Sequence, residues 1–392
     1  MSSFENPTIV VLAYNRLNSI TRLLKSLTNA HYETTVRLVL SIDGAVNSEN
    51  KEIIKFCNEV EWIYGEKNVI IHEKNLGIVK HLFVSLDLTE KFQSIILLED
   101  DHYLSPVFYK AACEFLKFYD KEEKVFAFSL YNHTKNGFNN LPFYPLQEDN
   151  DVYFVQIGFT QGFLITESQW TKFKKWYSNV KNQKLNENDP LHPLLLQLDK
   201  KRNEWFPLVT KYLVCENEYI AFPRDSLSVN FHDIGTHNKA SSSWYQVPIL
   251  YEKGDFRFKK FIDSNSVYDS FLEILPDRLI KLNRNLAMYE FDVDLYGSKP
   301  KGILKKQYLL TTRQPRRFEK SFGKRMKPLE QNIIENTEGK EIYLANQKEF
   351  KFSSLTDLKN KRSLFYFFNE GTNLKILIKI SLTGLLQKLK II

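Results

Sequence analysis

Three consecutive acids, Glu99, Asp100 and Asp101, close the apolar run Ile95-Ile96-Leu97-Leu98 and lead into His102-Tyr103-Leu104-Ser105-Pro106. Adjacent carboxylates repel one another, and their ionised forms are costly beside packed apolar residues unless positive charge sits among them. A divalent cation meets that need. Oxygen ligands with no cysteine or paired histidine close by favour Mg2+ or Mn2+ over Zn2+. The plainer alternative is a solvated acidic turn. A second cluster, Asn230-Phe231-His232-Asp233-Ile234-Gly235-Thr236-His237-Asn238, puts two histidines, an acid and a glycine in one short loop. His237 is the better candidate there for a metal ligand, since imidazole is an acceptable donor to Mn2+.

Such side chains need elements to aim them. The run before the acids is short and rich in Ile and Leu, which reads as a buried parallel strand. The acids then stand at its carboxyl end, where open α/β sheets bind ligands. The same reading applies upstream. Pro7 to Leu12 predicts a strand, followed by Ala13-Tyr14-Asn15-Arg16 and a helix with Leu17, Ile20, Leu23, Leu24 and Leu27 on one face. Val36 to Ile42 predicts a second strand, closed by Asp43-Gly44. A helix with Ile53, Ile54, Cys57 and Val60 follows, with Ser48 as its cap. Val69 to Ile71 predicts a third strand ending at His72, and Gly77 to Leu86 a third helix. Alternation of this kind predicts a doubly wound α/β sheet, mostly parallel, with Asn15, Arg16, Asp43, His72 and Asp101 converging along one edge. Neither a phosphate-binding P-loop nor a dinucleotide glycine fingerprint is present.

A chain of 392 residues exceeds one typical domain, so two domains and a tail are expected. With 43% hydrophobic and 26% charged residues the composition is globular. Cys57, Cys113 and Cys215 are widely spaced, which argues against a disulfide framework or zinc site and fits a reducing compartment. The amino terminus enters a strand with no charged-then-apolar signal pattern. No run reaches the roughly 18 apolar residues of a spanning helix. A cytoplasmic protein with peripheral membrane contact is expected.

Val10-Val11-Leu12-Ala13-Tyr14-Asn15-Arg16, Ser41-Ile42-Asp43-Gly44, Asn75-Leu76-Gly77 and Leu98-Glu99-Asp100-Asp101 with Ser105-Pro106 resemble, in that order, the motifs of nucleotide-sugar glycosyltransferases of the GT-A fold. The likeness covers about residues 5 to 240 and points to the N-acetylglucosaminyltransferase I type and to bacterial family 2-like polysaccharide enzymes. It implies that Asn15, Arg16 and Asp43 hold the nucleoside, with Gly77 also at the donor. It further implies that Asp101 ligates the metal, that Asp100 faces the ribose or donor sugar, and that Glu99 gives structural support. Mn2+ (or Mg2+) and a UDP-sugar are the usual cofactor and donor of that family. His237 would then complete the metal shell or hydrogen-bond the diphosphate.

Gln156 to Phe163 matches a glycine-containing segment that related enzymes place beside the donor sugar, which assigns Gly162 to the donor. The competing reading is a turn that needs glycine for its backbone. Relatives also carry an acid next to a tryptophan on a helix facing the acceptor. In this chain Glu204 precedes Trp205, and Phe206 stands where an Asp is expected. Glu204 is the first candidate for the catalytic base and Asp199 the second, with a glutamate of Glu216-Asn217-Glu218 as the fallback. Asn132 to Asp151 is expected to be a long loop over the site.

The sequence divides into a catalytic domain at residues 1–245, a basic α+β appendage at 246–350 and an amphipathic tail at 351–392. Tyr268 to Leu286 reads as helix, with strands at Tyr289 to Tyr296 and Tyr308 to Thr312. Lys305, Lys306, Arg313, Arg316, Arg317, Lys320, Lys324, Arg325 and Lys327 make a field for anions. Asn373 to Ile392 places Lys375, Lys379, Thr383, Gln387 and Lys390 on one side of an otherwise Leu/Ile-rich helix, the pattern of a helix lying in a bilayer interface. Burial against the protein's own body is the alternative. The expected partners are a nucleotide-sugar donor, a glycan or lipid-linked acceptor of capsule or O-antigen assembly, and the anionic inner face of the cell membrane. No nucleic-acid-reading motif is present. The rivals are a sugar-nucleotide nucleotidyltransferase, which would normally carry a Gly-rich basic loop after the first strand, and a non-catalytic membrane-surface scaffold.

Overall fold

In the computed structural model the run Thr8–Ala13 (β1) is buried at every position, as a strand covered on both faces must be. The structure describes residues 6–45, 50–159, 161–180, 185–186, 189–202, 205–234, 243, 245–369, 375–378 and 381–383. The described chain forms two compact units, residues 1–134 with 145–278, and residues 135–144 with 279–392.

In chain order, the first part of the first unit runs α1 (Leu17–Thr28), β2 (Leu38–Ile42), α2 (Lys51–Glu59), β3 (Lys67–Ile71), α3 (Ile78–Leu86), α4 (Thr89–Phe92), β4 (Ser94–Glu99), β5 (His102–Leu104), α5 (Phe108–Tyr119) and β6 (Val125–Ser129). The hairpin β7 (Lys135–Asn136) and β8 (Leu141–Pro142) belongs to the second unit. The first unit resumes with β9 (Val152–Val155), β10 (Phe163–Thr166), α6 (Glu167–Val180), α7 (Pro193–Arg202), α8 (Phe206–Glu216), β11 (Tyr219–Pro223), β12 (Ser228–Asn230) and β13 (Val267–Tyr268).

Nine of these strands make one sheet in the order β13-β9-β11-β6-β10-β4-β1-β2-β3. The β4-β1-β2-β3 half is parallel. β10 enters antiparallel between β4 and β6, and β9 runs antiparallel to β11. The sheet is therefore mixed, mostly parallel, with helices packed on it. On one face Ile9, Val11 and Ala13 of β1 join Leu38, Leu40, Ile42, Ile96 and Leu98 under Ile20, Leu23, Leu24 and Leu27 of α1 and Phe108, Ala111, Ala112 and Phe115 of α5. Val10 and Leu12 are buried as well, and because β1 alternates faces they lie on the other side. Fully burying an aliphatic side chain contributes about 1.5–3 kcal/mol, so burial holds β1 at the centre of the sheet, between β2 and β4.

Residues 246–278 pack with the first unit rather than with the appendage. The Leu250 N–H donates to the Ser226 carbonyl at 2.8 Å, and β13 pairs with β9. The expected helix from Tyr268 is correspondingly shorter. The pairing of Val267–Tyr268 keeps that end extended, and the helix α9 (Pro276–Leu282) begins at a proline, as helix starts favour. The expected loop over the site is also different. Its residues 135–142 form the β7–β8 hairpin, and the Tyr296 hydroxyl donates to the Pro142 carbonyl at 3.1 Å within the second unit.

The second unit continues with β14 (Phe291–Asp294), β15 (Tyr308–Thr311), β16 (Lys320–Phe322), α10 (Leu329–Ile334), β17 (Ile342–Asn346) and α11 (Ser354–Phe368). Its sheet runs β14-β15-β17-β16. Arg313, expected in the exposed basic field, is buried, paired to Asp294 and Asp357, and donates to the Gly297 carbonyl. Lys305, Lys306, Arg316, Arg317, Arg325 and Lys327 are exposed. In the tail the described residues 375–378 and 381–383 are helical, with Ile376, Ile378 and Leu382 exposed. The rest of 373–392, including Lys379, Gln387 and Lys390, lies outside the described residues, as does Ser48. Among the described residues no helix is long and apolar enough to cross a membrane.

Candidate functional site

The parallel half of the sheet ends nearly flush. Ala13 pairs with Ile42, Ile42 with Ile71, and Leu12 with Glu99. The residues that follow, Tyr14 to Arg16, Asp43-Gly44, His72 and Asp100-Asp101, are therefore delivered to one edge, as the strand-end pattern requires. Asp100 and Asp101 are each 4% exposed, which excludes the solvated acidic turn.

Arg16 lies across the acid pair. Its Nε donates to Asp100 Oδ2 at 3.3 Å and its Nη1 to Asp101 Oδ2 at 3.0 Å, while Nη2 pairs with Asp100 Oδ1. The remaining oxygen, Asp101 Oδ1, accepts from Asn230 Nδ2 at 3.0 Å. Burial pushes the Asp100 carboxyl up to about 6, against the opposing pull of Arg16. Burial acting alone would depress the Arg16 guanidinium, but Asp100 and Asp101 overcome it and raise it above its ordinary value. Glu99 ends β4, where its N–H donates to His102 Nδ1 at 3.2 Å. The His102 ring is fully buried, and that burial depresses it to about 4.

Asp43 organises the neighbouring turn. Its Oδ1 accepts from the N–H groups of Gly44 and Leu76, each at 2.8 Å, and its Oδ2 from Gly77 N–H at 3.1 Å. A carboxylate just ahead of α3 is favourably placed for that helix's dipole. Gly77 has φ +73, a conformation that glycine adopts without steric cost. Behind this turn Ser41 Oγ lies 3.1 Å from His72 Nε2 and 2.8 Å from His81 Nε2. Burial depresses His81 to about 4. Asn15 is exposed on the loop after β1.

The segment after β12 is pinned beside the acids. Phe231 N–H donates to the Asp101 carbonyl at 3.0 Å. Asp233 accepts from Ser19 Oγ at 2.7 Å and pairs with Arg22, whose guanidinium lies 3.8 Å from the Phe231 ring centroid. His232 has φ 50, and its ring lies 5.5 Å from that of Tyr245 between centroids. His237 lies outside the described residues.

Glu204 and the side chain of Asp199 also lie outside the described residues. Next to them, Trp205 is buried 5.8 Å from Phe163. Phe163 opens β10 opposite Leu97 near the carboxyl end of β4, so Trp205 belongs to the site edge. The fallback glutamates do not. Glu218 precedes β11, which runs parallel to β6, and so stands at the opposite edge, accepting from the Tyr212 hydroxyl at 3.0 Å. Gly162 has φ +83, and a Cβ there would meet Leu98 and Leu130 side chains at 3.2 Å. Its positive φ falls in the turn into β10. The glycine that admits a neighbour is Gly158, where a Cβ would come within 2.7 Å of the Phe206 carbonyl.

Asp100 and Asp101 supply hard oxygen donors that already bracket one cationic group. A Mg2+-type ion shared with substrate phosphates takes one or two protein carboxylates rather than an all-protein cage, so this donor set fits such an ion. Among the described residues no group of three or more His, Cys, Asp or Glu could form a cage. Sequence reasoning did not single out Arg22, Asn230 or His81. Only Asn230 carried a signal, as the first residue of the His-Asp-Gly loop.

No family model matches the chain, and no curated protein matches it. Among solved structures it is similar to TarS residues 1–349 of S. aureus, at 17% identity over 56% of this chain and 59% of that one, with a TM-score of 0.34. The same protein in complex with UDP-GlcNAc gives 17% identity, 61% and 62% coverage and a TM-score of 0.37. A mannosyltransferase of Pyrobaculum calidifontis in complex with GDP-Man and Mn2+ gives 11% identity, 42% and 46% coverage and a TM-score of 0.31. The chain thus spans about three fifths of the TarS structure it matches.

Proposed function

We propose that this protein is a glycosyltransferase of the GT-A kind that moves a sugar from a nucleoside diphosphate donor, a UDP-sugar, to a hydroxyl of a glycan or lipid-linked saccharide in bacterial surface polysaccharide assembly. The observation that carries the reading is the flush strand edge, where Arg16 spans Asp100 and Asp101 beside the Asp43 turn. Asp101, with Asp100, would hold Mn2+ or Mg2+, which when bound stabilises the negative charge of the departing diphosphate. Arg16 supplies a planar donor fork matched to phosphate oxygens. Asp43 holds the Gly44 and Leu76-Gly77 backbone as one wall of the nucleoside pocket, with Asn15 on the facing loop. A carboxylate from the Asp199 to Glu204 segment, next to Trp205, takes the acceptor proton. Attack opposite the leaving group inverts the anomeric centre.

The exposed cations of the second unit and the apolar Ile376, Ile378 and Leu382 support docking on an anionic inner membrane face. Truncation before Asn373 abolishes flotation with anionic liposomes if that reading holds; unchanged flotation removes it.

The donor reading is tested by thermal denaturation with a panel of nucleotide sugars, with and without Mn2+. A bound donor raises the melting temperature by mass action, about 2.7 kcal/mol at a hundredfold excess over Kd. Asp101→Ala removes the Mn2+-dependent part of the shift and the Mn2+-dependent donor hydrolysis. No shift with any nucleotide sugar sinks the proposal.

A further inference from the structure

All four carboxylate oxygens of Asp100 and Asp101 are engaged, three by the single Arg16 guanidinium and one by Asn230. The acid side chains are 5% and 6% exposed, whereas Arg16 is 24% exposed. Arg16 is therefore the most exposed side chain of the three, and its guanidinium covers the oxygens of the more deeply buried carboxylates. A cation that ligates the three oxygens held by Arg16 takes the place its guanidinium now fills. An arginine withdrawn from a carboxylate pair keeps its charge and its planar donors, and at this edge the anion it would meet is the donor's diphosphate.

Resting on the glycosyltransferase reading, we propose that Arg16 is a built-in competitor of the divalent cation. It closes the acid pair while the donor is absent, yields the carboxylates when cation and nucleoside diphosphate arrive together, and then turns its guanidinium to the phosphates. Cation affinity of the free protein is thereby kept low and made dependent on the nucleotide. By linkage the nucleotide's affinity depends on the cation by the same factor. A fixed structural ion pair would give no such exchange. A permanent arginine substitute for the metal would leave the carboxylates closed with UDP bound.

The test is Mn2+ binding, followed by the free-ion electron paramagnetic resonance signal, to wild type, Arg16→Gln and Arg16→Lys, each with and without UDP. Wild type binds Mn2+ weakly alone and about tenfold or more tightly with saturating UDP, within the usual range of coupling between sites. Arg16→Gln binds Mn2+ alone about tenfold more tightly than wild type does, and the further gain that UDP brings is smaller than in wild type. Arg16→Lys keeps the charge but covers fewer oxygens, and falls between. Melting temperatures establish that each variant is folded; should Arg16→Gln fail to fold, the Lys variant alone decides the ordering. UDP binding to wild type with no gain in Mn2+ affinity in either variant overturns this inference and leaves the donor reading standing. Absence of UDP binding to wild type removes the donor reading itself.

Discussion

Asn230 donates its side-chain N–H to Asp101 Oδ1 at 3.0 Å across 129 residues of sequence, and β12 to β5 pairing brings the two together. Nothing else holds that oxygen among the described contacts of Asp101. Asn230→Ala leaves a buried carboxylate oxygen without a donor, at a cost of about 1–3 kcal/mol. Loss of a group that orients a ligating carboxylate typically costs about 10–100-fold in activity, which donor hydrolysis measures. Asn230→Asp sets a second carboxylate against the first and is the more damaging at pH 7, as urea denaturation of the two variants checks.

Asp43 accepts from three backbone N–H groups, those of Gly44, Leu76 and Gly77. Hydrogen bonds to a charged acceptor contribute about 1.5–3 kcal/mol each, and the three are not additive. Asp43→Asn preserves shape but turns an NH2 group toward backbone donors, so it destabilises nearly as much as Asp43→Ala, by about 2–4 kcal/mol in chemical denaturation. An Asn variant as stable as wild type would refute this account of the turn.

The parallel half of the sheet was legible because each strand is an apolar run closed by polar residues. The antiparallel entry of β10 between β4 and β6 was not. Phe163–Thr166 is a short apolar run, and strand order depends on contacts that local patterning does not encode. Arg16 and the acids were each legible, but not their mutual pairing: the acids called for a cation, and a guanidinium 84 residues upstream meets that need. Arg22 on α1 reads as a solvated helix position until the 230–234 segment is folded onto it. The Glu216/Glu218 fallback failed because chemical type alone does not say which end of a strand a residue occupies.

Two glycines require their identity for different reasons. A Cβ at Gly158 meets Phe206 and Val209 of α8 at 2.7 and 2.8 Å, so Gly158→Ala forces the start of that helix, and Trp205 beside it, to shift. Overpacking of this kind costs about 1–3 kcal/mol, and a change in Trp205 fluorescence reports the displacement. Gly77 has open space around its Cβ position but φ +73. With ψ 159 this is a region open essentially to glycine alone, so Gly77→Ala costs about 1–3 kcal/mol as backbone strain, and Gly77→Asn no less, since the region Asn tolerates lies at much smaller ψ.

His81 is buried, with its Nε2 2.8 Å from Ser41 Oγ, and burial depresses it from 6.5 to about 4. The folded state therefore favours the neutral ring, while the unfolded chain takes up the proton near 6.5. Between those values the unfolded state binds more protons, so stability rises with pH. The contribution is complete above pH 6.5 and is lost as pH falls to about 4, an effect of about 3 kcal/mol for this one group. His81→Gln keeps a hydrogen-bonding group near Ser41 and does not titrate. Its melting temperature falls less steeply than that of wild type between pH 6.5 and 4, and an unaltered slope would show that the acid sensitivity of the fold arises elsewhere.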